Sequence, residues 1–347
     1  MAIYAKYVMT GVNFNAMQNV RSKTVRGYVL AAAELFTLRN FRSPVSFDNK
    51  QNWVNIIVSN LEREEDIAKQ RSPITKEMFA ELKRMADAKP FDSAESMVFN
   101  MAAFGRITGP RAGEYAQTTQ NKIDVHRYPS GKEVVKAFLA GDFHFYDKDG
   151  NPMTVTDDSA IDLVGYMRVI WRIQKNRQNG QGLRVDRCKK FPALCPVLGA
   201  IKMILRKLRL GHPLDLPLAV FKDKSDVVRY LTGAKVAEIL RKAARTVHPK
   251  LTKEEINKFS AHSLRVWACV LLDEAGIKPD TIKKRLRWMG ESYRIYLRDT
   301  QKISEQHIDA LDEASEAVMA LLEAAASDIV PTLTEEDTAM GSYQDLN

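Results

Sequence analysis

The chain has 347 residues, of which 45% are hydrophobic and 27% are charged. This is the composition of an ordinary globular protein, long enough for two domains. No run approaches the roughly 20 apolar residues of a membrane span, and the opening MAIYAKYVMTG lacks the apolar stretch of a secretory signal. We therefore expect no membrane association and an intracellular location, in the cytoplasm or the nucleus depending on the host.

Charge is distributed unevenly along the chain. The formal net charge is +9, but residues 303–347 hold 11 acidic side chains and no Lys or Arg, so the first 302 residues carry a net charge of +20. A body this basic attracts polyanions, and nucleic acid is the obvious one. A solubilising surface would give the same composition. Charge therefore favours DNA binding only in combination with the motifs described below.

The chain contains three cysteines, Cys188, Cys195 and Cys269, without the paired spacing of a metal site. An odd number of cysteines indicates free thiols in a reducing compartment. We expect no zinc site.

The first 70 residues are predicted to be helical. Segments 25–41 and 49–70 carry apolar residues at helical spacing, with charged residues between them. The segment RSPIT (71–75) is typical of a domain boundary. Two further helices are predicted, a capped amphipathic one over 76–88 and one over 93–109 that Gly109 and Pro110 close.

The middle of the chain changes character. Between residues 120 and 187, runs of Val, Ile, Tyr and Phe alternate with turn residues. YMRVIWRIQK (166–175), a glycine-rich loop and LRVDRC (183–188) predict a hairpin. Helices return over 195–211 and 227–247 and continue to about residue 325. We predict a mostly α fold with a small β-sheet (α+β), in which a small helical domain precedes a larger α+β domain.

Two short segments place an arginine in a chemically suggestive setting. In TGPRAGEYAQ, Arg111 follows a helix-ending Gly-Pro and Glu114 lies three residues later. In SAHSLRVWACVLL, His262 and Arg265 are spaced i, i+3 and so share one helix face, with Ser260 as the N-cap. A histidine and an arginine beside a buried run make a good anion site. An isolated surface Arg or a structural His would be the ordinary interpretation of either segment.

A third segment, KKRLRWMGESYRIYLRDT (283–300), is basic and helix-like and carries Trp288, Tyr293 and Tyr296. By itself it is typical of an amphipathic helix with aromatic core positions. The order and spacing of the three segments are more specific. R-x-G-E, a Lys on a hairpin, H-S-L-R and R-W-x(7)-Y-L-R resemble the catalytic domain of the tyrosine recombinase (phage-integrase) family.

The resemblance covers roughly residues 73–300. KNRQNGQG followed by PALCPVLGAI is similar to the branch of the family found in eukaryotic and viral mobile elements. The resemblance implies a helical domain that clamps DNA (1–70), a catalytic domain (73–302) and a C-terminal helix with an acidic tail (303–347).

The resemblance also implies a set of site residues. Tyr296 would be the nucleophile, Arg111 and Arg265 would bind the scissile phosphate, and Lys175 would be the hairpin lysine that acts as general acid. His262 of the H-x-x-R pair and Trp288, at the position where a second histidine is common, complete the catalytic set. Glu114 would be the supporting acid beside the first arginine.

The sequence departs from the family pattern in three places. Leu-Arg-Trp stands where Leu-Gly-His is common, and Trp267 stands where a small residue is frequent. The interval from Trp288 to Tyr296 is one residue short of the commoner count, so Tyr293 stays open as the nucleophile.

The implied activity is cutting and rejoining of double-stranded DNA through a 3′-phosphotyrosyl intermediate, by a tetramer on paired sites. One phosphodiester replaces another, so no ATP, metal or other cofactor is expected. Two alternatives stay open. A type IB topoisomerase uses the same residues to relax supercoils as a monomer, and a protein derived from a mobile element could keep the fold and bind DNA without catalysis. The DNA target does not follow from the sequence.

Overall fold

The computed structural model of the chain describes residues 22–41, 53–64, 70–174, 179–188 and 190–297. Lys175 and the segment 303–347 lie outside these ranges. The chain divides into two compact units, residues 1–70 and residues 71–347. In the described part of the chain, no helix has the length and apolar character that crossing a membrane requires.

In the first unit, the described residues form two helices, α1 (Ser22–Leu38) and α2 (Trp53–Glu64), where the apolar spacing predicts them. Val25, Val29 and Ala33 of α1 are buried and follow one another at a spacing of four residues. This spacing puts them on one face of the helix, and α1 packs against α2.

The second unit is mostly helical. Its centre is the helix that spans Ala94–Thr108, which is buried along most of its length. Gly199 lets a later helix approach it closely, because a Cβ at Gly199 would lie 2.7 Å from the carbonyl oxygen of Asn100. The helices of this unit are α3 (Lys76–Asp87), α4 (Ala94–Thr108), α5 (Ala112–Tyr115), α6 (Ala160–Leu163), α7 (Pro196–Arg209), α8 (Gly233–Val247), α9 (Lys253–Asn257), α10 (Ser263–Glu274) and α11 (Pro279–Leu286).

Local capping sets the ends of the helices near the site. The hydroxyl of Thr75 accepts the Met78 N–H at the start of α3, and α4 begins after Ser93. Gly109 ends α4 in the left-handed conformation, with φ of 49°. A Cβ at Gly109 would lie 2.6 Å from Leu286, so the absence of a side chain lets the end of α4 meet the end of α11.

The strands of the second unit are short and antiparallel. Phe143, Phe145, Met167 and Val169 alternate with exposed or half-buried residues and point into the core. A separate hairpin pairs β1 (Val125–Arg127) with β2 (Glu133–Val135). The main sheet has the order β4–β3–β5–β6, formed by β3 (Phe143–Tyr146), β4 (Pro152–Met153), β5 (Tyr166–Ile170) and β6 (Gly182–Asp186). The prediction of a mostly α fold with a small β-sheet is confirmed.

Two predicted helices differ from the structure. The helix predicted over 227–247 begins later, because Val228–Tyr230 forms β8 against β7 (Val220–Lys222) and the Thr232 hydroxyl caps α8. The stretch 283–300 is not one helix: α11 ends at Leu286, and a 3₁₀ turn follows at Glu291–Ile295.

The start of α10 also differs from the prediction. Ser260 is not its N-cap, because α10 begins at Ser263 and His262 occupies the N-cap position. The Ser260 hydroxyl instead accepts the backbone N–H of His262 at 3.3 Å. His262 therefore lies at the N-terminus of α10, and Arg265 lies in its first turn.

Candidate active site

Three segments that lie far apart in the sequence meet at one site. Arg111 follows α4, His262 and Arg265 open α10, and Tyr296 follows the 3₁₀ turn after α11. The His262 Nε2 atom lies 3.0 Å from the Tyr296 hydroxyl, although 34 residues separate them. A phenol and an imidazole ring are therefore in hydrogen-bond contact.

The two candidate tyrosines differ in their surroundings. Tyr296 is half-buried, and its ring stacks on Trp288 with a centroid distance of 5.5 Å and an interplanar angle of 20°. Tyr293 is 2% exposed and packs in an apolar cluster with Cys269 and Ile282. Of the two, Tyr296 is the one whose hydroxyl reaches the His262 ring, and this favours Tyr296 as the nucleophile.

Arg265 is a buried anchor between two helix ends. Its guanidinium donates to the carbonyl oxygens of Gly109 at 2.6 Å and Leu286 at 2.5 Å. The same group lies over the Trp288 ring, 4.4 Å from its centroid. Backbone carbonyls and an aromatic face thus hold the orientation of the guanidinium without any ligand.

Glu114 is a buried carboxylate shared by two arginines. Its Oε1 accepts from Arg111 Nη1 at 3.0 Å, and its Oε2 accepts from Arg287 Nη2 at 3.0 Å. Oε2 also accepts the backbone N–H of Arg111 at 2.7 Å. The Arg111 side chain remains 23% exposed. Glu114 therefore orients the Arg111 guanidinium, and part of the Arg111 side chain stays exposed to solvent.

Electrostatics set the protonation of the histidine and the phenol. Burial lowers the pKa of His262 to about 4, and the charges of Arg265, Arg71 and Arg111 act in the same direction. Burial raises the pKa of Tyr296, although the charges of Arg265 and Arg111 oppose this. At neutral pH the histidine is a neutral acceptor and the phenol keeps its proton. Ionisation of Tyr296 therefore needs a base, and His262 is in contact with it.

We expect His262 of the free chain to stay neutral throughout the neutral range and to titrate near pH 4. Between about pH 4 and the ordinary histidine pKa of 6.5, the unfolded chain binds more protons than the folded one. Stability should therefore rise with pH across this window and fall on acidification. An NMR titration of the histidine signals measures the pKa of His262, and the His262→Gln variant identifies its signal. A midpoint near 6.5 for His262 would contradict the expected burial effect.

Arg287 is a site residue that the motif analysis did not single out. It is 4% exposed, it donates to Glu114, and its Cζ atom lies 3.2 Å from the centre of the Trp171 ring. The sequence signal is the arginine in Leu-Arg-Trp, where the family resembled commonly has glycine.

The other predicted features divide into those the structure describes and those it does not. Lys175 lies outside the described residues; in the sequence it belongs to the connection between β5 and β6. At the described ends of that connection, the Trp171 N–H donates to the Gln181 carbonyl oxygen at 2.9 Å. Among the described residues, no group of three or more His, Cys, Asp or Glu side chains could hold a metal ion. The three cysteines are free thiols, as the odd number predicts.

Comparison with known proteins gives structural similarities. No protein-family model matches the chain, and no curated protein sequence matches it. The structure is similar to solved integrases and site-specific recombinases.

Three of these similar structures illustrate the range. The Tn1549 transposon integrase in complex with transposon right end DNA gives a TM-score of 0.44 at 10% identity, over 89% of this chain and 84% of that chain. The XerH site-specific recombinase bound to difH substrate gives a TM-score of 0.39 at 13% identity, over 87% of this chain and 75% of that chain. A lambda integrase dimer bound to a COC′ core site gives a TM-score of 0.37 at 12% identity, over 86% of this chain and 88% of that chain.

Proposed function

We propose that this protein is a site-specific DNA recombinase that cuts and rejoins double-stranded DNA through a 3′-phosphotyrosyl intermediate. The observation that carries the proposal is the 3.0 Å contact between the Tyr296 hydroxyl and His262 Nε2, in a site that also holds Arg111 and Arg265. A nucleophile, a proton acceptor and two guanidinium groups are the parts that phosphoryl transesterification requires.

In the proposed cleavage step, the phenolic oxygen of Tyr296 attacks the phosphorus and its proton passes to His262. The bond from phosphorus to the 5′-oxygen breaks, and Lys175 gives the leaving oxygen a proton to form a 5′-hydroxyl. The 3′-phosphate of the DNA is then joined to Tyr296. Rejoining runs the same steps in reverse with a new 5′-hydroxyl. One phosphodiester replaces another, so the reaction needs no ATP.

The arginines would stabilise the charge that develops on the phosphate. In the transition state the non-bridging oxygens become more negative, and a guanidinium fork can bind them through two hydrogen bonds. Arg265 is already fixed by two carbonyls and by Trp288, so little reorganisation is needed at the moment of reaction. The indole N–H of Trp288 is a donor only, so it can hold an oxygen but cannot shuttle a proton.

The charge distribution supports the proposed partner. The first 302 residues carry a net charge of +20, which suits a phosphate backbone. In this proposal residues 1–70 clamp the DNA, residues 73–302 carry out the chemistry, and four copies assemble on two paired sites. Segment 303–347 supplies the C-terminal helix and the acidic tail.

Covalent capture from a random duplex library tests the proposal and also identifies the target. Library members carry a nick that lets the strand end diffuse away after cleavage, so the covalent product accumulates. We expect DNA that survives denaturation on the protein to share one sequence, and the attached peptide to contain Tyr296. No captured DNA would contradict the recombinase proposal. Capture without a shared sequence, together with relaxation of any plasmid, would favour a topoisomerase.

Lys175→Ala is expected to slow cleavage by on the order of 10²-fold, because the 5′-oxygen is a poor leaving group without a proton. A substrate with sulfur at the 5′-bridging position should restore the rate, since sulfur leaves without protonation. Lys132→Ala and Lys136→Ala, on the earlier β1–β2 hairpin, are the matched controls. Rescue by sulfur in either control variant, and not in Lys175→Ala, would move the role of general acid to that lysine.

A further inference from the structure

We propose that Arg287 is a positioning residue that holds Glu114, and through it keeps Arg111 free to bind the scissile phosphate. This inference rests on the proposed function, because Arg111 is the group being positioned. It assigns a role to a residue that follows α11 and directly precedes Trp288.

The backbone at Arg287 has a conformation that arginine rarely adopts. It ends α11 in the left-handed region, with φ of 59° and ψ of 46°, where glycine is the usual residue. A residue with a Cβ is strained there. The other non-glycine residues at positive φ in the described part of the chain are Asn40 and Asp226, and these residue types tolerate it. Such a conformation persists where the surrounding structure requires the side chain.

The side chain of Arg287 joins three parts of the second unit. Nη1 donates to the carbonyl oxygen of Thr108, the last residue of α4, at 3.1 Å. Nη2 donates to Glu114 of α5 at 3.0 Å. The guanidinium lies on the Trp171 ring, where the connection from β5 to β6 begins. A glycine would avoid the backbone strain but would lose all three contacts.

The shared carboxylate explains how Arg287 would affect the phosphate site. Glu114 divides its two oxygens between Arg111 and Arg287, so one negative charge is balanced against two positive ones. Without the Arg287 side chain, the buried carboxylate would pair with Arg111 alone and compete with a phosphate for that guanidinium. The backbone of Arg287 also contacts Arg111, whose Nη2 donates to its carbonyl oxygen at 3.4 Å.

Arg287 would act indirectly, and this separates it from the catalytic residues. The cations whose charges act on the Tyr296 phenol are Arg265 and Arg111. The Arg287 guanidinium instead contacts Thr108, Glu114 and the Trp171 ring. Its effect on the reaction should therefore depend on Glu114.

The test is a double-mutant cycle on the captured DNA substrate, with single-turnover cleavage and DNA affinity measured separately. We expect Arg287→Gly to bind DNA normally and to cleave on the order of 10²-fold more slowly, as misplaced catalytic groups do. Arg287→Lys should recover part of the rate. In a Glu114→Gln background, Arg287→Gly should cause no further loss. Asp226→Gly, which removes another side chain at positive φ, from an exposed site, should cleave like wild type.

One additional substrate and one alternative variant complete the experiment. The 5′-sulfur substrate should not rescue Arg287→Gly, because the defect lies in phosphate binding and not in the leaving group. If thermal unfolding shows that Arg287→Gly does not fold, the same cycle is run with Arg287→Lys.

Three results would overturn the inference while the proposed function stands. Arg287→Gly could cleave at the wild-type rate, the 5′-sulfur substrate could restore its rate, or its loss of rate could add to that of Glu114→Gln. A wild-type chain that never attaches to DNA would overturn the proposed function itself.

Discussion

Replacing Tyr296 with Phe is expected to reduce covalent attachment to DNA by on the order of 10⁴-fold or more, to below detection, because the attacking oxygen is lost. DNA binding should stay nearly intact, since the phosphate contacts come from the arginines. The Phe ring can keep its stacking on Trp288, so the fold should be preserved. Denaturing gels with labelled suicide substrate measure attachment, and filter binding measures affinity.

Tyr293→Phe is the matched control for this experiment. Tyr293 lies three residues earlier, within the 3₁₀ turn that Tyr296 follows, but its ring is buried with Cys269 and Ile282. The variant should fold and attach to DNA at close to the wild-type rate. If Tyr293→Phe were inactive and Tyr296→Phe still cleaved, the assignment of the nucleophile would be wrong.

The second large effect is expected for Arg265→Ala, which should lower the cleavage rate by 10²-fold or more, as loss of an oxyanion donor does elsewhere. Arg265→Lys should rescue poorly, because an ammonium group cannot reproduce the planar fork. A lysine also cannot donate to the carbonyls of Gly109 and Leu286 with the same geometry. A near-normal rate in Arg265→Lys would argue against bidentate binding of the phosphate.

Arg265 also supports the fold, so its structural contribution needs a control of its own. Arg241→Ala is suitable, because Arg241 likewise donates to two backbone carbonyls, those of Phe259 at 3.0 Å and Asn257 at 3.2 Å. Both variants should unfold at lower temperature than wild type, since in each of them two backbone carbonyls lose their donor. Only Arg265→Ala should lose cleavage in its folded fraction. Equal losses of cleavage in the two variants would assign Arg265 a structural role.

Much of the local structure of this protein follows from short stretches of sequence. Thr75 and the Gly109–Pro110 pair mark helix ends that the structure reproduces, because capping depends on a few neighbouring residues. The same holds for the hairpin around the glycine-rich loop. The motif residues could be named for the same reason, since each motif is a short pattern within one segment.

Local patterns were insufficient where partners come from elsewhere in the chain. Val228–Tyr230 belongs to a stretch that is predicted as one helix with α8, and it becomes a strand because β7 pairs with it. The 283–300 stretch breaks at Arg287, whose buried side chain finds partners more than 100 residues away. Helical spacing does not predict such partners, because it depends only on neighbouring residues within one element.

The sequence alone therefore determined most of the described helices, the hairpin and the residue types available for chemistry, since these depend on propensity and spacing along the chain. Only the tertiary structure decided which of these residues meet. It brings the Tyr296 hydroxyl to His262 and leaves Tyr293 in an apolar cluster. It also buries Arg287 against Glu114 and Trp171. The reason is physical: contacts between distant segments are selected by the packing of the whole core, in which every neighbour contributes.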